Sequence, residues 1–164
     1  MKSEVIEIRG TKAIGIAKEI KMSEGQFECP KFWHEFTERF IMTMREDVPL
    51  TPQQEAIQKN MIGEFGLCIC DMKKDTFQYV IAGKYAGGDV PEEFSLYELP
   101  EGRWLKFTFE GGMEGFHRQY TEVYSKFLPE HPEYEVRMDY NAEWYEGMDM
   151  NAPDYRCGLM LPLK

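Results

Sequence analysis

Residues 65–85 read FGLCICDMKKDTFQYVIAGKY, two β-prone runs at 65–70 and 77–85 around the turn-like segment 71–75. Apolar, aromatic and β-branched residues in runs this short, separated by charged turn residues, predict an antiparallel pair of strands. A second pair closes the chain. There AEWYE (142–146) and DYRCGLMLPL (154–163) flank a turn that contains Gly147 and Pro153.

A helical pattern precedes each pair. Over residues 30–45, Phe32, Phe36, Phe40 and Met44 recur every four positions, with Trp33 and Ile41 widening the stripe. In the second half Phe116, Tyr120, Val123, Tyr124 and Phe127 form the stripe, ended by Pro129 and Pro132. A β-prone run comes before each helix, residues 4–20 broken near Gly10 and Gly15, and residues 94–109 followed by Gly111 and Gly112. The stretch with Pro49, Pro52 and Gln53 reads as a polar connection. Two β-α-β-β repeats follow, about 1–85 and 94–164, joined by the linker 86–93, AGGDVPEE. The expected fold is α+β and forms one domain over 1–164. Antiparallel sheets from two pseudo-symmetric repeats join around a central ligand cleft, with helices packed on the other face.

The 164 residues suffice for a core that encloses a pocket, and 43% hydrophobic with 14% aromatic residues is the composition of a folded domain. The formal net charge of −10 opposes binding to phosphate backbones, so nucleic acid is not an expected partner. The chain has no apolar run of membrane-spanning length. Glu4, Glu7 and Arg9 interrupt the place of a signal peptide, and the expected location is the cytoplasm. Cys29, Cys68, Cys70 and Cys157 do not form a disulfide framework. Cys68 and Cys70 lack the further ligands of a metal site, and His34, His117 and His131 stand at no ligand spacing. No metal or cofactor is implied.

Glu143 stands among aromatic residues. Two apart on a strand, Glu143 and Tyr145 point to one side and Trp144 to the other. If Trp144 faces the helices, the acid faces the cleft. Aligning GLCIC with AEWYE sets Leu67 against Glu143 and Ile69 against Tyr145, so only one repeat carries the acid. The alternative is an exposed edge carboxylate near Glu146 and Asp149.

The pattern Phe77, Tyr79, Ile81, Ala82, Gly83, then VPEEF (90–94), LPEGRW (99–104), Glu143 with Tyr145, and the terminal LPL resembles the GyrI-like small-molecule-binding domain. The same domain serves as the effector-binding module of some AraC-type and MerR-type regulators. The resemblance spans nearly the whole chain and includes Phe32 and Trp33. It implies an aromatic cleft with one acid for lipophilic, often cationic or planar compounds. Carried over by position, the ligand-binding residues are Glu143, Tyr145, Tyr155, Trp104 and Phe109. Trp104 and Phe109 are five apart, which puts them on opposite faces of a regular strand, and core packing is the alternative for both. Tyr155 alternates with Cys157, Leu159 and Leu161 and has the same alternative. No DNA-reading segment precedes the first β-prone run, so a ligand module standing alone is expected.

Three functions fit the resemblance. The first is a soluble binding protein for lipophilic or cationic small molecules. The second is a hydrolase that opens strained, cyclopropane-bearing cytotoxic compounds, with Glu143 as general base and Tyr145 orienting the substrate or donating a proton. The third is a protein-interaction role, since one branch of the family is associated with inhibition of DNA gyrase.

Overall fold

The computed structural model describes residues 1–147 and 149–164, so Met148, in the turn expected after the second β-run of the second half, lies outside it. Its eight strands are β1 (Lys2–Ile8), β2 (Lys12–Lys21), β3 (Phe65–Cys70), β4 (Thr76–Lys84), β5 (Ser95–Glu98), β6 (Gly102–Thr108), β7 (Tyr140–Glu146) and β8 (Arg156–Pro162). Three helices of 7 or more residues accompany them, α1 (Gly25–Phe36), α2 (Pro52–Asn60) and α3 (Phe116–Glu122), with a short helical segment at Leu128–Glu130. α1 and α3 each run on through a π-helical turn, Thr37–Ile41 and Val123–Phe127.

All eight strands form one antiparallel sheet in the order β1-β6-β8-β7-β3-β4-β2-β5. Exchanging the two halves of the chain reverses this order onto itself, and the pseudo-twofold falls between β3 and β7. Each β-prone run that opens a repeat is two strands. The break near Gly10 sends β1 across to pair with β6, and β5 pairs with β2 in the same way.

Those exchanges force the sheet to curl. β5 ends at Glu98 and β6 begins at Gly102, a reach of at most about 14 Å. In a flat sheet they would stand six strand spacings apart, about 29 Å. The two edges therefore approach one another, and the Leu99 amide donates to the Thr11 carbonyl at 3.0 Å across the junction. The face enclosed by the curl holds Trp104, Leu67, Val80, Tyr140 and Trp144, all buried.

The helices cover the opposite face. Phe32, Phe36 and Phe40 of α1 and its extension pack on Ile14, Ile20 and Ile81, while Phe116 and Val123 pack on Phe107, Cys157 and Leu159. Helices and cleft share this face. Its aromatic stripes cover the two halves and leave the seam above β3 and β7 uncovered. Trp144 points into the curl, away from the helices.

α2 occupies the stretch that reads as a polar connection. Its apolar positions are sparse, but Thr51 and Gln54 form a reciprocal capping box, Pro52 stands in the first turn, and Met61 closes the helix in the left-handed region. The buried Gln54 amide donates to the Phe40 carbonyl at 3.0 Å and ties α2 to the end of α1.

Candidate functional site

The seam between α1 and α3 opens as a cleft of ≈ 720 Å³ whose floor is β3, β4 and β7. α1 contributes Trp33 and Cys29, α3 contributes Phe116 and Tyr120, and the floor contributes Cys68, Tyr79, Glu143 and Tyr145. Tyr155, one residue before β8, and Met150 close one side. Among the described lining residues Glu143 is the only carboxylate, and there is no lysine or arginine. The rings meet at right angles on one side and nearly parallel on the other. Trp33 stands edge-on to Tyr145 at 5.5 Å and 81°, and Phe116 stacks on Tyr145 at 5.7 Å and 24°.

A hydrogen-bond chain holds the acid. Trp33 Nε1–H donates to Tyr79 Oη at 2.7 Å, and Tyr79 Oη–H donates to Glu143 Oε1 at 2.5 Å. Tyr145 Oη–H donates to Oε2 at 3.2 Å. A hydroxyl has one proton. Because Trp33 occupies Tyr79 as an acceptor, Tyr79 presents that proton to the carboxylate.

Burial pushes the Glu143 carboxyl above its ordinary 4.5, and the hydrogen bonds from Tyr79 and Tyr145 offset part of the rise. Burial, reinforced by the Glu143 charge, holds the Tyr79 and Tyr145 hydroxyls well above 10, so both stay donors. Burial first, then Glu143, pushes the Cys29 thiol up to about 12 and the Cys68 thiol well above 9.0. Both shifts run opposite to the lowered pKa that activates a nucleophilic cysteine. Among the described residues no group of three or more His, Cys, Asp or Glu side chains could hold a metal.

Of the residues singled out from the sequence, Glu143, Tyr145 and Tyr155 line the cleft. Trp104 does not. It is fully buried in the curl on the opposite face, where Nε1–H donates to the Pro100 carbonyl at 2.8 Å and its ring meets Tyr140 at 5.8 Å. Phe109 is on the helix side but lies beneath the cleft wall, 4% exposed and 5.2 Å from the Phe116 ring. Both are core residues. The repeat alignment is also off by one position, because Glu143 pairs with Gly66 in the β3–β7 register, while Leu67 pairs with Ala142 and faces the curl.

Tyr79, Trp33 and Phe116 are site residues that the sequence does not single out for ligand contact, although all three belong to its patterns. The available signal was Tyr79 alternating with Phe77 and Ile81 on the face away from Val80. Its link to Glu143 needs the register of three strands.

Fold and site define a twofold-repeated α+β domain with a ligand-sized cleft at its seam, whose described lining holds one carboxylate. The chain belongs to the GyrI-like small molecule binding domain family, whose match covers residues 1–164. The solved structure of SAV2435 bound to tetraphenylphosphonium shares the fold with a TM-score of 0.79 at 17% identity, over 100% of this chain and 94% of that one. A Staphylococcus aureus MU50 protein described as a transcription regulator gives 0.77 at 17% identity, over 100% and 99%. An integron cassette protein from the mobile metagenome of Vibrio cholerae gives 0.65 at 12% identity, over 99% and 95%. None of the curated proteins compared with the chain matches it. No helix among the described residues is long and apolar enough to cross a membrane.

Proposed function

We propose that this protein binds lipophilic organic cations in the cleft, with Glu143 as the countercharge and Trp33, Phe116, Tyr145 and Tyr155 as the contact surface. The observation that carries the reading is the single carboxylate on the floor of an aromatic cleft lined by no lysine or arginine among the described residues. An ionised acid held away from water is costly until a cation joins it. Each aromatic face adds about 0.5–2 kcal/mol for a desolvated cation. The tetraphenylphosphonium bound to SAV2435 is a ligand of this class. The reading includes a cytoplasmic location, where such compounds would be met.

Calorimetric titration with tetraphenylphosphonium and with neutral triphenylphosphine oxide tests it. A hydrogen bond or ion pair to a charged group contributes about 1.5–3 kcal/mol. Glu143→Gln is therefore expected to weaken the cation about 10- to 150-fold and the neutral compound little. Equal losses for both would overturn the reading.

The hydrolytic alternative uses the same carboxyl, and its raised pKa suits a general base. Both carboxylate oxygens already accept tyrosine protons, which favours holding a charge over abstracting a proton. Incubation with a strained cyclopropane electrophile separates the two: intact recovery supports binding, and a ring-opened product lost in Glu143→Gln supports hydrolysis.

A further inference from the structure

Gly66 stands directly opposite Glu143 at the pseudo-twofold, within the central strand pair. Its other neighbour is Ile81 on β4, two residues beyond Tyr79. Tyr79 and Glu143 therefore sit on strands separated by β3, about 9.6 Å apart. Their hydrogen bond must pass over β3 at position 66. A side chain there would share the face of Cys68, which lines the cleft.

The glycine is not needed for its backbone. It is absent from the positive-φ glycines of the described chain, and a glycine inside a strand weakens it. What the position requires is space. A Cβ at residue 66 would fall 2.7 Å from Glu143 Oε1, 3.0 Å from Tyr79 Cζ and well inside contact distance of Tyr79 Oη. All three are side-chain atoms, so relief comes from a side chain and not from the strand. The Tyr79 ring is 2% exposed and held by Trp33, whereas the carboxylate ends a flexible chain. Moving the carboxylate relieves its own contact, but the closer one, to Tyr79 Oη, needs the tyrosine to shift as well, so what a side chain at residue 66 breaks is the Tyr79–Glu143 hydrogen bond.

We infer that Gly66 is the positioning residue that seats Glu143, the one carboxylate among the described lining residues, on the pseudo-twofold axis against Tyr79, and so sets the cleft's preference for cations over neutral ligands. This rests on the cation-binding reading. One half of the repeat supplies the acid, and the other supplies the empty place over which the acid lies.

The test compares tetraphenylphosphonium with triphenylphosphine oxide in the full chain. Gly66→Ala is expected to reduce the cation-over-neutral preference about tenfold or more, the scale of one charge-assisted hydrogen bond, with neutral affinity held within about twofold. In a Tyr79→Phe background the closest contact is gone and there is no Tyr79–Glu143 hydrogen bond left to break, so the same substitution is expected to change the preference by less than about threefold. Equal loss of both ligands, or an equal effect of Gly66→Ala in both backgrounds, would overturn the inference. Glu143→Asp is the second variant, which retains the charge but draws it back from above Gly66. It too is expected to lose the preference about tenfold, and full retention would overturn the inference even if Gly66→Ala does not fold. A wild type with no cation preference would instead sink the binding reading itself, and this inference with it.

Discussion

Replacing Tyr79 by Phe removes one oxygen and tests how the charge of Glu143 is controlled. Glu143 Oε1 loses its 2.5 Å donor and keeps only the 3.2 Å bond from Tyr145 on the other oxygen. A hydrogen bond to a charged group contributes about 1.5–3 kcal/mol, and one pKa unit is 1.36 kcal/mol, so the Glu143 pKa should rise by about 1–2 units. At the pH where the wild-type carboxyl is half ionised, the ionised fraction would fall to roughly 1–10%. Apparent cation affinity scales with that fraction, giving a loss of about 5- to 50-fold, while a neutral ligand is unaffected by it. Trp33 Nε1–H also loses its acceptor. About 1–3 kcal/mol of stability should go with it, a fall of a few degrees in Tm. The assay is ¹³C NMR titration of the glutamate carboxyls, with Glu143→Gln identifying the resonance, beside calorimetry at the chosen pH. A Glu143 pKa that stays put or falls in Tyr79→Phe would refute the reasoning.

Two further outcomes are expected. Because the folded pKa of Glu143 lies above its ordinary 4.5, the folded state holds that proton more tightly than the unfolded chain. Its stabilising effect is complete below 4.5 and is lost as pH rises through the folded value. Urea unfolding across that window should show the decline in wild type and a flatter profile in Glu143→Gln; identical profiles would count against a raised Glu143 pKa. Trp104→Ala should cost about 3–5 kcal/mol in unfolding free energy while any folded fraction keeps the wild-type cation preference, and a selective loss of cation binding would return Trp104 to the site.

Period-two alternation placed Glu143 and Tyr145 on one side of β7 and Trp144 on the other, and the same parity separates Trp104 from Phe109. Those relations are local, so the sequence carries them. Which face holds the cleft is decided by where the Phe32 and Phe116 stripes dock, a contact between distant elements. The Tyr79–Glu143 bond depends on the β4–β3–β7 register, which no short window contains. A single position of slip in the repeat alignment was enough to set Leu67 where Gly66 stands. The exchange of β1 and β5 was hidden because residues 4–20 and 94–109 each look like one continuous run, although Gly10 marks the break. Ala56 and Ile57 offer too short an apolar stripe to mark α2; its definition comes from the Thr51–Gln54 cap and the buried Gln54.

The reciprocal exchange of β1 and β5 bears on how the cleft meets ligands of different shape. Each half has its first strand stitched into the ladder of the other, so the two walls cannot swing apart as rigid jaws without breaking backbone pairing at both edges at once. The spacing between α1 and α3 is thereby a property of the sheet, and accommodation falls to side-chain rotamers. Met22, Met113 and Met150, all on the lining, are unbranched and polarisable, and can reshape the walls around ligands of different outline while the floor stays still.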